Sequence, residues 1–498
     1  MEIENVTLEL AVITKTGECM LRKSQISNLK SLSLIAAGII AASTPSLVLA
    51  YKNPLGDHYS PITIHDNPDG YQISPNPNFS TITINDINAE NRLEPFDNYG
   101  NLVINGSGRL VTFGTLNNYS NLINYGSLYT GKDGLFFIYG YPEYRDNGEV
   151  VNSNLFTNYG EFGNGSLLRI TSTGIMNNYG DVINVDSMVL NPSSILNNYG
   201  TINNSNSYPL ESSARLNISG SLYNSGTLNN GGSITIDKTG LLVNSGTLYQ
   251  YTNGFANYGT LENSGSWYNA DARYLTNGGE LINTGSFMNT YALMNSVKVF
   301  NSGIISESPN TLGYGIYSQY IGETINNGII DMTTIDIEGG VLKGIGTLKG
   351  SVIIGPGATV MPGLSPGILN IEGDMHSNGN YVIEIAGLNS GQFDVLNIHG
   401  NAFFTGGNFE FDFINGFHPS AGDHWDFLVA DSLNGFDTVN FTFAGLGDGL
   451  GIDLNNEGGK ISFTVITVVP EPETYAMVLA GLGLIGFMTY RRKLKEAA

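Results

Sequence analysis

Glu161 and Asp181 are the acids whose spacing could do chemistry, because they lie 20 residues apart, each directly after an Asn-Tyr-Gly triplet. A chain that coils with that period would set the two carboxylates side by side, as a glycosidase pair or a cation site requires. A glycosidase also needs one acid with a raised pKa. The other central acids, such as Asp237, Glu262 and Glu280, do not cluster, so solvated edge carboxylates are the expectation. The six histidines are His58, His65, His376, His399, His418 and His424, and none forms a His-Glu-x-x-His pair. His418 and His424 flank Pro419 and Gly422 and read as a solvated loop pair. Cys19 is the only cysteine, so a zinc site would need His and carboxylates alone. No P-loop is present. The residues therefore predict no catalytic group, no cofactor and no metal. The competing expectation is a β-helical polysaccharide lyase or hydrolase. Ice binding is a lesser one, since Thr81-Ile82-Thr83 and Thr333-Thr334 make no regular array.

Tyr99, Tyr119, Tyr159, Tyr179 and Tyr199 fall in one 20-residue register. Stacked on one another they would fix the register, at about 0.5–1.5 kcal/mol per contact; presented separately they would offer faces to sugar rings. The elements that must position them are set by recurring triplets: Asn98-Tyr99-Gly100, Asn158-Tyr159-Gly160, Asn178-Tyr179-Gly180, Asn198-Tyr199-Gly200, Asn224-Ser225-Gly226, Asn244-Ser245-Gly246 and Asn257-Tyr258-Gly259. A fixed period near 20 residues is a solenoid signature. Helix is excluded as the unit, because Asn, Gly, Thr and Tyr are weak helix formers and no 3.6-residue pattern appears. Segments such as Ser233-Ile234-Thr235-Ile236 read as short strands with alternate apolar residues inward, and Gly and Asn are expected to supply corners with positive φ. The predicted fold is all-β: a right-handed parallel β-helix of roughly 20-residue coils over 91–375, with an N-terminal cap over 51–90 and a β-rich cap over 376–466. Lys132–Asn152 and Ser306–Gly322 are read as loops budding from the coils.

Composition fits such a body. The 498 residues include 64 Gly and 59 Asn, with only 13% charged. A formal charge of −23 without a basic stripe excludes nucleic acid as a partner.

The termini carry different signals. Acidic residues 1–19 precede Arg22, Lys23 and Lys30, an apolar stretch from Leu32 to Ala42, and the exit Val48-Leu49-Ala50. That order predicts a secretory signal within residues 1–50, cleaved between Ala50 and Tyr51, with translation starting at Met20. Removing it takes Cys19 away. Residues 467–498 hold Val469-Pro470-Glu471-Pro472 and Thr474, then the apolar run Tyr475 to Tyr490 with Gly481, Gly483 and Gly486, then Arg491-Arg492-Lys493. Sixteen apolar residues span about 24 Å of helix, which predicts a short transmembrane anchor with its basic end in the cytoplasm. In all three parts and their order, this tail resembles the PEP-CTERM sorting signal of exopolysaccharide-producing Gram-negative bacteria. The resemblance implies recognition by an exosortase-type membrane enzyme and cleavage near Pro470-Glu471-Pro472. It further implies an inner-membrane intermediate held through residues 475–490, followed by transfer to the cell surface or beyond. Gly346–Val352 with Gly357–Leu369 resembles the repeat closing the β-helical passengers of autotransporter adhesins, although no membrane barrel of alternating strands follows. Together these readings predict an exported structural or adhesin-like protein with exopolysaccharide or biofilm matrix as its setting, and no enzyme.

Overall fold

The computed structural model describes residues 6–13, 19–26, 62–64, 72–73, 81–85, 91–93, 96–112, 115–130, 149–205, 214–251, 254–270, 274–309, 315–468 and 472–496. The chain forms two compact units, Met1–Thr201 and Ile202–Ala498.

In the first unit, Leu155–Asn158, Glu161–Asn164 and Leu167–Ile170 make one turn of chain. Each strand pairs in parallel with its counterpart one repeat later. Leu155 faces Ile175 and Ile175 faces Ile195; Glu161 faces Asp181, and Leu167 faces Ser187. Three parallel sheets thus enclose one interior, a β-solenoid. The second residue of each strand is apolar and buried, as at Phe156, Met176 and Leu196. The fourth also points inward and is repeatedly asparagine. Stacking places equivalent residues about 4.8 Å apart, close enough for one amide to satisfy the next. Asn158 Nδ2 donates to Asn178 Oδ1 at 2.7 Å, and Asn178 Nδ2 to Asn198 Oδ1 at 2.8 Å. The remaining Nδ2 hydrogens reach the carbonyls of Asp181 and Thr201 at 3.1 and 3.0 Å. Without partners each buried amide group would cost about 1–3 kcal/mol.

The corners differ from expectation. Among the described non-glycine residues only Ser193 and Asn415 have positive φ, and Gly160, Gly180 and Gly200 are not among the positive-φ glycines. These triplet glycines serve close approach instead: a Cβ on Gly180 would overlap the carbonyl oxygen of Gly160, and one on Gly200 that of Gly180. The predicted loop over Lys132–Asn152 is also too long. Glu149–Asn152 is a strand of the stack, and Asn118 Nδ2 donates to Asn152 Oδ1 across 34 residues at 2.8 Å. Parallel pairing already joins Ile62 to Ile82 and Ile82 to Leu102, ahead of residue 91. Val6–Ile13 pairs antiparallel with Cys19–Ile26, within the stretch read as an acidic extension and secretory signal. Ala50 and Tyr51 lie outside the described residues.

The second unit repeats the scheme with one long ladder. Asn224, Asn244, Asn263, Asn283, Asn301 and Asn326 pass Nδ2–H to Oδ1 in a chain, at 2.7 Å for the first step and 2.8 Å for the others. The steps are 20, 19, 20, 18 and 25 residues, so corners absorb length changes while the interior stays in register. Ile316–Gln319 belongs to this stack, which shortens the predicted loop at Ser306–Gly322. Charged residues are stacked with opposite signs. Glu280 pairs with Lys298 at 2.9 Å and Glu323 with Lys343 at 2.6 Å, and Lys298 lies in register with Glu323. Parallel stacking continues to Asn440–Ala444 on Asn408–Phe413. There an antiparallel ribbon, Leu450–Glu457 with Lys460–Thr467, folds onto His424–Asn434 and covers the open edge, where unpaired strands would otherwise recruit other chains. Its core is aromatic, with Phe409, Phe411, Trp425, Phe427 and Phe463 buried and Trp425 Nε1 donating to Gly387 O at 2.9 Å.

Candidate functional site

The tail residues predicted from sequence, from Pro472 onward, lie along one helix, α1, Pro472–Glu496. Pro472 opens it, where a missing N–H costs nothing, and Arg491 and Arg492 complement its negative end. Thr489 Oγ1 donates to Ile485 O at 2.8 Å, and the Arg491 guanidinium lies 5.8 Å from the Phe487 ring centre. Residues 476–492 are exposed throughout. A Cβ added at Gly481, Gly483 or Gly486 would meet nothing within 4 Å, so none of these glycines is needed for packing inside the chain. Pro472 and Thr474 lie in the first turn and Lys493 in the last turns, while Val469, Pro470 and Glu471 lie outside the described residues. The transmembrane expectation is corrected: no helix among the described residues is long and apolar enough to cross a membrane. The uncharged segment stops at Tyr490, and three glycines and Thr489 dilute it.

The tyrosines form two ladders on different corners, not one. Tyr99 stacks on Tyr119 at 4.7 Å. Tyr125, Tyr159, Tyr179 and Tyr199 stack in series at 4.9, 5.0 and 4.7 Å, within 6–11° of parallel. Tyr125 belongs to Asn124-Tyr125-Gly126, a triplet that a strict 20-residue slot passes over. Ring faces within these stacks cover one another, so edges and hydroxyls face outward and the interior rings offer no platform to a sugar.

Glu161 and Asp181 do stand in register on one sheet face, the former half-buried and the latter exposed. His424 is engaged by Thr464 Oγ1 at 3.0 Å and Asp426 at 3.2 Å. Among the described residues no three His, Cys, Asp or Glu side chains gather around one cation position.

One titratable residue escaped the sequence reading. Asp394 is buried in the second unit, where Oδ1 accepts from Gly367 N at 2.7 Å and Oδ2 from Glu384 N at 2.9 Å. It thereby clamps the Gly363–Gly367 turn to the strand Asn380–Ile385. Burial pushes its pKa up to about 7, the charge of Glu384 adds to this, and the two N–H bonds pull the other way. The folded state thus keeps a proton that the unfolded chain releases near pH 4, so stability should fall as pH rises from about 4 to 7, by at most about 1.4 kcal/mol per pH unit. Asp394→Ala should remove this slope and cost about 1–3 kcal/mol at pH 5 through the two stranded N–H groups, with a smaller loss at pH 8. Urea melts at both pH values check it; equal losses would show that Asp394 stays ionised throughout.

Residues 468–493 match the family described as the PEP-CTERM protein-sorting motif. No curated protein matches the chain. The chain thus carries a PEP-CTERM sorting motif at its C-terminal end, and such a signal implies an exported protein that is sorted by an exosortase and destined for the cell surface.

Proposed function

We propose that this PEP-CTERM chain is a non-catalytic structural or adhesive protein of the cell surface or exopolysaccharide matrix, with the solenoid units as its working surface. The observation that carries the delivery step is the set of glycines in α1. Each costs a helix roughly 1 kcal/mol relative to alanine, and none returns that cost through packing within the chain. Small residues of this kind let a partner helix approach closely in a membrane, which fits reading by an exosortase. In transit, residues 475–490 meet the inner membrane beside that enzyme.

For the body, the absence of catalysis is supported by where the acids go. Asp394 spends both oxygens on backbone N–H groups, and the stacked ion pairs neutralise one another. Outward amide ladders such as Asn197 to Asn177 at 2.8 Å present neutral hydrogen-bonding groups suited to polysaccharide hydroxyls.

Gly481→Ala/Gly483→Ala/Gly486→Ala should leave a better helix and yet reduce the amount of protein reaching the surface, measured by fractionation and immunoblot. Unchanged delivery would sink the glycine argument. Mass spectrometry of the extracellular form should find no peptide beyond Glu473. Incubation with extracted exopolysaccharide should retain the protein in a pull-down and release no reducing ends; release of reducing ends would overturn the non-catalytic reading in favour of a hydrolase or lyase.

A further inference from the structure

We infer that the tyrosine ladders of the first unit are sites of oxidative coil-to-coil cross-linking, in which adjacent phenols couple to dityrosine. Three observations carry this. Tyr125, Tyr159, Tyr179 and Tyr199 hold their ring centres 4.7–5.0 Å apart and nearly parallel. Each of these residues is nonetheless 47–51% exposed, and stacking of the faces leaves the ring edges, which carry the hydroxyl and its ortho carbons, as the part open to an oxidant. The sole cysteine, Cys19, lies near the N-terminus, so no disulfide can join the coils.

The chemistry needs a peroxide and a haem-peroxidase-type catalyst. Each of two phenols gives up one hydrogen atom, and the peroxide takes both and is reduced to two waters. The two phenoxyl radicals join through ortho carbons, and the hydrogen on each of those carbons moves to the neighbouring oxygen to restore aromaticity. A neighbour already held at contact distance reacts as an intramolecular partner with a high effective concentration, whereas coupling to a second chain must wait for diffusion. The rings need only tilt towards each other at their free edges. Each link would tie one coil to the next covalently.

The test uses the full exported chain with hydrogen peroxide and a haem peroxidase, read by dityrosine fluorescence and by mass spectrometry of linked peptides from the monomer band. Links Tyr125–Tyr159, Tyr159–Tyr179 and Tyr179–Tyr199 are expected, with Tyr99–Tyr119 beside them. Tyr159→Phe/Tyr179→Phe keeps the rings and the stack but removes the phenol hydrogens. It should abolish the first three links and leave Tyr99–Tyr119. Circular dichroism of the variant confirms the fold. Links dominated by exposed tyrosines of the second unit, such as Tyr223, Tyr274 and Tyr320, would overturn the inference. So would links confined to dimers, or the same ladder preference after unfolding in urea.

Discussion

Asn263→Leu is expected to destabilise the second unit by about 3–5 kcal/mol, a loss large enough to abolish cooperative unfolding of neighbouring coils. Leucine has the same branching and is the larger side chain, so no cavity opens. The loss is polar. Asn263 is fully buried, accepts from Asn244 Nδ2 at 2.8 Å, and donates to Asn283 Oδ1 at 2.8 Å and to Ser286 O at 3.1 Å. Leucine strands a donor above and two acceptors below in a dry interior. Asn257→Leu provides the comparison. Asn257 heads its ladder because the residue stacked before it is Ile236, and its Oδ1 has no partner. Removing it strands only acceptors below, at Asn277 Oδ1 and Glu280 O, so its cost should be smaller. Chemical denaturation of both variants orders them; equal or negligible losses would mean that the ladders contribute little.

Gly265→Ala is the second large effect, about 3–5 kcal/mol from one methyl group. Its Cβ would overlap the carbonyl oxygen of Gly246, and the same relation runs from Gly285 to Gly265 and from Gly303 to Gly285. These obstacles are backbone atoms of the adjoining coil, and a coil cannot move without breaking its ladder. Limited proteolysis should detect a new cleavage between the coils around residue 265. Resistance equal to that of the parent would refute the steric argument, and Gly481→Ala, with open space around it, is the control that should change nothing in the solenoid.

Much of this was legible in the sequence because parallel stacking brings each residue onto its own kind. Asn178, Tyr179 and Gly180 recur at 198–200 because each must meet a copy of itself, and that constraint writes the period directly. The tail was legible because its parts are contiguous in the sequence. What could not be read was the reason for each glycine: one that needs positive φ and one that must clear a carbonyl look alike in a sequence, and Gly180 is the second kind. Tyr125 was missed because the chain between Thr130 and Glu149 breaks the count, so that residues 34 apart, Tyr125 and Tyr159, become neighbours. Asp394 was silent because its burial depends on Gly367 and Glu384, which only the folded stack brings to it.

The ladders also bear on how long such a protein lasts outside the cell, where it is not renewed in place. Asn followed by Gly is the sequence most prone to lose ammonia, by attack of the glycine nitrogen on the side-chain amide carbon. Asn164-Gly165, Asn230-Gly231 and Asn277-Gly278 are such pairs. In each, however, the attacking nitrogen is committed: Gly165 N donates to Thr130 Oγ1 at 3.1 Å, Gly231 N to Asn204 O at 2.9 Å and Gly278 N to Asn257 O at 2.8 Å. The Asn277 amide nitrogen is itself bound to Asn295 and Lys298 O. Folding therefore shelters these three fragile dipeptides from chemical ageing, and the loss of one coil exposes those of its neighbours to it.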